Sequence, residues 1–225
     1  MKEISLKDII KFSRKSQKSR ATLIRNTQQP KTNIAGGGGG NYWIRSLSAI
    51  SKACKLDNNL IITEKIEDIL LAQKHNTSER TLNMYLRNIR ILEAYENYSF
   101  DILKPNSEIN YLKGIRSNSI INTGGLPIQI IPSLVYEFQE EDELKIGSIL
   151  FIAQLDGYRT SEHEVLCEAL YRYLKINYMD NFTIERDFCI VVDVIKKVSI
   201  SHSQIDKKRA SRKLNKIIKE IIKLF

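Results

Sequence analysis

The sequence predicts an α+β fold: a helical amino-terminal half, then a mixed or antiparallel sheet with covering helices in the carboxyl-terminal half. Three observations predict it. Up to Tyr98, apolar residues recur at helical spacing. After Tyr98, short β-branched runs are punctuated by Pro105, Gly114, Gly124, Gly125, Pro127 and Pro132. A single capped helical stretch then separates the early strands, which are joined by short turns, from the last buried one. At 225 residues and 42% hydrophobic content, the chain can bury a full core without disulfides or metals.

The elements follow in order. Ser5 to Asp8 has the form of a capping box with a shortened acid. The helix it opens is expected to reach about Lys18, with Leu6, Ile9, Ile10 and Phe12 turned inward. Residues 26–40 read as a loop, because Pro30 and the run Gly36–Gly40 resist regular structure. A helix begins near Asn41, with Trp43, Leu47 and Ile50 on its inner side. Further helices are expected over 60–73 and 78–98, the latter striped by Leu82, Leu86, Ile89 and Leu92. Strands are expected over 119–123, 126–131, 134–138 and 145–154, with an acidic hairpin turn at 139–143. A helix over 161–176 carries Ser161 and Glu164 as its capping box. Strands over 188–194 and 198–201 and an amphipathic terminal helix complete the chain. The expected division is a basic arm and helix (1–35), a glycine hinge (36–40), a helical region (41–100) and an α+β region (101–225).

Charge placement is more telling than the net value of +9. Residues 1–31 hold nine Lys/Arg against two acids, and residues 206–225 hold eight against two. The body between them is mildly acidic. Lys11, Arg14, Lys15, Lys18, Arg20 and Arg25 are interleaved with Ser and Thr hydroxyls, a pattern suited to phosphate oxygens. Arg45 adds to this surface, as do Lys207, Lys208, Arg209 and Arg212 near the other end. These residues are the expected nucleic-acid contacts, whether the ligand is DNA or RNA.

Other chemistries find less support. Cys54, Cys167 and Cys189 are odd in number and far apart, which excludes a disulfide framework and points to buried thiols in a reducing cytoplasm. His75, His163 and His202 lack metal-ligand spacing. No apolar run approaches the ~18 residues of a membrane span, and the first residues include acids and lack the apolar region of a secretory signal. Neither a membrane partner nor a resident cofactor is expected. Asp156-Gly157-Tyr158, followed by Glu162, His163 and Glu164, is the densest polar cluster after a strand. His163 is there a candidate acid or base, although helix capping also accounts for its neighbours.

The order of strands and helix over 126–194 resembles the core of the restriction-endonuclease-like superfamily, especially RecB-type nucleases. Active members carry a proline-aspartate pair followed by an acid-x-lysine triplet that binds a divalent metal such as Mg²⁺. This chain has Pro132-Ser133 and then Glu143-Leu144-Lys145, so serine stands where the family has a metal-binding carboxylate. The resemblance implies a nuclease-like scaffold with a degenerate motif. The leading expectation is therefore an intracellular, non-catalytic nucleic-acid-binding accessory protein. The abundance of Ile, Asn and Lys points to an AT-rich genome; a setting in phage defence or a mobile element is a further expectation that the composition does not itself give. Two alternatives remain: a metal-dependent nuclease using Glu137, Glu143 and Lys145, and an immunity or accessory subunit whose basic ends hold an acidic protein.

Overall fold

The computed structural model describes residues 2–29, 42–113 and 118–225. The expected glycine hinge at 36–40 lies outside these residues. The described chain is α+β, as its sequence predicts. Strand β1 (Ile4–Ser5) leads into helices α1 (Leu6–Arg14) and α2 (Gln17–Gln28). Helices α3 (Ile44–Leu56), α4 (Leu60–Lys74) and α5 (Glu79–Glu93) follow. Then come β2 (Ile109–Tyr111), β3 (Ile120–Thr123), β4 (Leu126–Gln129), β5 (Leu134–Glu140) and β6 (Glu143–Ile152). Helix α6 (Thr160–Tyr178), β7 (Thr183–Asp193), β8 (Val198–Ser201) and α7 (Lys207–Ile222) end the chain.

The main sheet has the order β2-β5-β6-β7-β8. Within this sheet, among the described residues, β6 and β7 are the parallel pair, which requires the crossover that α6 supplies. The sheet is buried on both faces. In β6, Ile146, Leu150 and Ile152 join one core while Ile149 and Phe151 join the other. In β7, Cys189 and Val191 alternate in the same way with Ile190 and Val192. Helices α3 to α5 cover one face. The other is covered by α6, α7, α1, α2 and a small sheet of order β1-β4-β3.

Gly147 marks the join of β5, β6 and β7. A Cβ there would come within 2.7 Å of the Tyr136 ring and 3.0 Å of Phe188 Cβ. Beside it the β6–β7 ladder is irregular: β6 advances from Ile146 to Ser148 while β7 advances from Ile184 to Cys189.

The described part of the amino-terminal segment is not a separate arm. Ile4 pairs with Ile128 across β1 and β4, and Leu6, Ile9, Ile10, Phe12 and Ile24 are buried in the core shared with α6 and α7. The physical reason is the apolar face of α1, which its basic residues flank. The helix expected to reach Lys18 breaks at Lys15 and Ser16, both extended, and restarts as α2. Ser5 does cap α1, accepting from the Asp8 N–H at 3.1 Å. At α6 the expected cap is displaced. Glu162 accepts from the Arg159 N–H at 2.8 Å, while the Ser161 hydroxyl accepts from Lys213.

Candidate polyanion-binding groove

Helix α7 separates its residue types cleanly. At 3.6 residues per turn, Ala210, Leu214, Ile217, Ile218 and Ile221 form the buried side. Lys208, Arg212, Lys216, Lys219 and Lys223 fall within about 80° of arc on the opposite side, and all are exposed. This stripe is about 22 Å long at 1.5 Å per residue. Asp206 caps the helix, its carboxylate accepting from the Arg209 N–H at 3.0 Å. The first turn therefore presents two lysines at the positive end of the helix dipole.

That first turn walls a cavity of about 620 Å³ between α7, α6 and β7. Four cationic side chains line it: Arg186, Lys207, Lys208 and Arg212. Its acid, Glu168, is buried and already engaged. It accepts from Arg172 Nε at 2.8 Å and lies 3.2 Å from His202 Nε2. Burial opposes ionisation of Glu168, but the hydrogen bonds from His202 and Arg172 outweigh it and hold the carboxyl below its ordinary value. The rings of Tyr171 and His202 stack at 4.1 Å and 6°. Arg186 lies 5.2 Å from the Tyr171 ring centre and donates to its hydroxyl at 3.3 Å. The cleft is thus a concave surface of fixed positive charge with a neutralised floor. Such a shape focuses the field on an approaching anion.

Of the expected contacts, Lys207, Lys208 and Arg212 line this groove. Arg209 lies one position outside it and pairs with the buried Glu164, its Nε donating at 3.2 Å. Arg14 is turned inward. Its Nε donates to Glu162 at 2.7 Å and its Nη2 to the Gly157 carbonyl at 2.8 Å. Arg20 donates to Glu220 at 2.8 Å and to the Phe12 carbonyl at 3.1 Å. Lys11 pairs with Asp8 at 3.0 Å. Lys15, Lys18 and Arg25 are exposed. Arg45 sits 4.9 Å over the Tyr85 ring in the α3–α5 layer, across the sheet from the groove.

The three residues of the nuclease alternative do not converge. Glu137 stands opposite Ile146 and Lys145 opposite Phe138. Cross-strand partners share a face and successive residues alternate, so Glu137 faces away from Lys145 and Glu143. Asn110 donates to Glu137 at 2.7 Å, and Lys145 is held between Glu140 and Glu185. Ser133, which follows Pro132, accepts from the Phe151 N–H at 3.0 Å. Among the described residues no group of His, Cys, Asp and Glu is arranged to hold a metal ion.

The polar cluster at the carboxyl ends of β6 and β7 is a structural junction. Asp193 is fully buried, and its Oδ1 accepts from the Ile195 and Lys196 N–H groups at 3.1 and 3.3 Å, closing the turn into β8. His163 Nε2 lies 3.7 Å from Asp193 Oδ2, too far for a hydrogen bond. All three cysteines are buried, as expected, and burial pushes the Cys54 thiol up to about 12.

Arg186, Tyr171, Glu168 and His202 escaped the sequence reading as site residues. The strand carrying Arg186 begins at Thr183, five residues before the apolar run that announces it. Tyr171 and Glu168 look like ordinary positions of α6. Only the spacing of Glu168, Tyr171 and Arg172 on one helical side hinted at a shared surface.

Among the described residues, no helix is long and apolar enough to cross a membrane. A scan against protein-family models, a search of curated proteins and a search of solved structures each return no match to this chain.

Proposed function

We propose that this protein binds nucleic acid, as a non-catalytic accessory protein, through the α6–α7 groove and the basic stripe that runs from it along α7. The observation that carries the reading is the convergence of Arg186, Lys207, Lys208 and Arg212 on one cavity whose acid is already engaged. Like charges that β7 and α7 bring to one cavity repel one another. A polyanion relieves that repulsion. The stripe spans about 22 Å, the axial length of roughly six base pairs, so it tracks several phosphates rather than one. Contacts of this kind position a backbone and do not read sequence, which suits an accessory role.

The test is fluorescence anisotropy with labelled single-stranded DNA, single-stranded RNA and duplex, across a salt series. Affinity should fall steeply with salt. Each phosphate contact contributes about 0.7 to 0.9 to the log–log slope. Replacing Lys208, Arg212 and Lys216 together by Gln should lower that slope by about 2 to 3 and leave the circular dichroism unchanged. Absence of binding to all three ligands at low salt would overturn the reading.

A further inference from the structure

His202 occupies an unusual position in the groove. It is 2% exposed, lines the cavity, and its Nδ1 is buried with no hydrogen-bond partner among the described residues. Its Nε2 lies 3.2 Å from Glu168, which is ionised and can only accept. Nε2 therefore carries the proton, and in the neutral ring Nδ1 is a bare lone pair.

The groups around this imidazole come from every neighbouring element. Helix α6 supplies Glu168, Tyr171 and Arg172; Glu168 and Arg172 balance each other. Strand β7 supplies Arg186, Asp187 and Cys189. Asp187 accepts from Ser203, and burial keeps the Cys189 thiol protonated. Helix α7 supplies Lys207, Lys208 and Arg212. In the empty groove these cations repel one another. A bound phosphate neutralises them, repels the lone pair on Nδ1 and favours an imidazolium.

We propose that His202 is a conditional phosphate-binding residue: seating a phosphodiester in the groove takes up one proton on its imidazole. The step is an acid–base equilibrium. Solvent donates a proton to Nδ1, the ring gains one positive charge, and the charge is matched by the phosphate. The groove then holds five cationic groups instead of four. Binding is linked to pH across the range where imidazoles exchange protons, about pH 5 to 8. This inference rests on reading the groove as a phosphate site.

Calorimetry tests it, with a 5′-hydroxyl oligonucleotide whose phosphodiesters do not titrate in this range. Measured near neutral pH in two buffers of different ionisation enthalpy, binding should take up close to one proton. The dissociation constant should rise by up to tenfold per pH unit at the alkaline side. His202→Gln, which still donates to Glu168, should abolish the uptake and the pH dependence. The imidazole NMR signals of the wild-type protein supply a check that needs no variant: the His202 signal should move toward the imidazolium on titration with the oligonucleotide. Binding without uptake, or with an unmoved His202 signal, overturns this inference and leaves the groove reading standing. Uptake that persists in His202→Gln moves the proton elsewhere and also overturns it. Absence of any binding overturns both.

Discussion

The two ends of the chain carry nearly the same excess of positive charge, +7 over residues 1–31 and +6 over residues 206–225, and fold puts them to different uses. At the amino end two arginines and one lysine are paired with acids of the same chain. Arg14 reaches Glu162, Arg20 reaches Glu220 and Lys11 reaches Asp8. At the carboxyl end the stripe on α7 stays exposed, and its first turn joins Arg186 in a cavity. A basic run thus names a candidate surface only when its acids are elsewhere. Here the acids that answer Arg14 and Arg20 lie 148 and 200 residues away in the chain.

The largest expected effect separates a structural end from a binding end. Phe12 is 1% exposed, packs in the core with α6 and α7, and lies 4.9 Å beneath the Arg20 guanidinium. Phe12→Ala should cost about 3 to 5 kcal/mol, read as a lower urea midpoint. Lys208→Ala should leave that midpoint unchanged. Equal effects would mean that α1 docks loosely, and the contrast drawn between the ends would fail.

Next in size is the Arg14–Glu162 pair. Glu162 is buried, while Arg14 keeps about a fifth of its side chain exposed. Removing one partner of such a pair leaves a charge stranded, so Arg14→Met should cost about 3 kcal/mol. The pH dependence gives a sharper reading. Burial raises the Glu162 carboxyl, but Arg14 and the Arg159 N–H outweigh it and hold it below the ordinary value. Its stabilisation is therefore present above the unfolded carboxylate value of about 4.3 and is lost as pH falls through the lower folded one. The gap between wild type and Arg14→Met, followed by thermal melts on acidification, should close in that window. A gap that stays constant would show that Arg14 acts by packing on Tyr158 rather than by charge.

How much of this was legible depends on the range of the interactions involved. Strands β3 to β6 could be read because Gly124-Gly125 and the acidic stretch around Glu141 and Asp142 are local turn signals, each using a positive φ where the chain reverses. Strands β1 and β2 could not, being two and three residues long and held by partners distant in sequence. The break at Lys15 and Ser16 has no Gly or Pro to announce it; Ser16 restarts the helix with extended backbone. The site divides in the same way. Lys207, Lys208 and Arg212 stand in one charge run and were visible as such. Arg186, Tyr171 and His202 meet them only through the α6 crossover and the β7–β8 hairpin, and no local pattern encodes that meeting.

The smallest expected effect bears on the same contrast. Lys15, Lys18 and Arg25 are exposed amino-terminal cations that the sequence offers as phosphate contacts. Lys18 and Arg25 share a side of α2 but stand about 10 Å apart. Isolated exposed charges interact weakly and are screened by salt, whereas a cleft lined with one sign of charge concentrates its field. Replacing all three by Gln should therefore weaken oligonucleotide binding by less than about threefold and lower the salt slope by less than about one. The Lys208, Arg212 and Lys216 replacement changes as many charges and should lower it by about 2 to 3. Because both variants remove three positive charges, net charge cancels from the comparison and only placement remains. If the order of effects were reversed, the amino-terminal helices would be the binding surface, and α7 would serve mainly to carry the core.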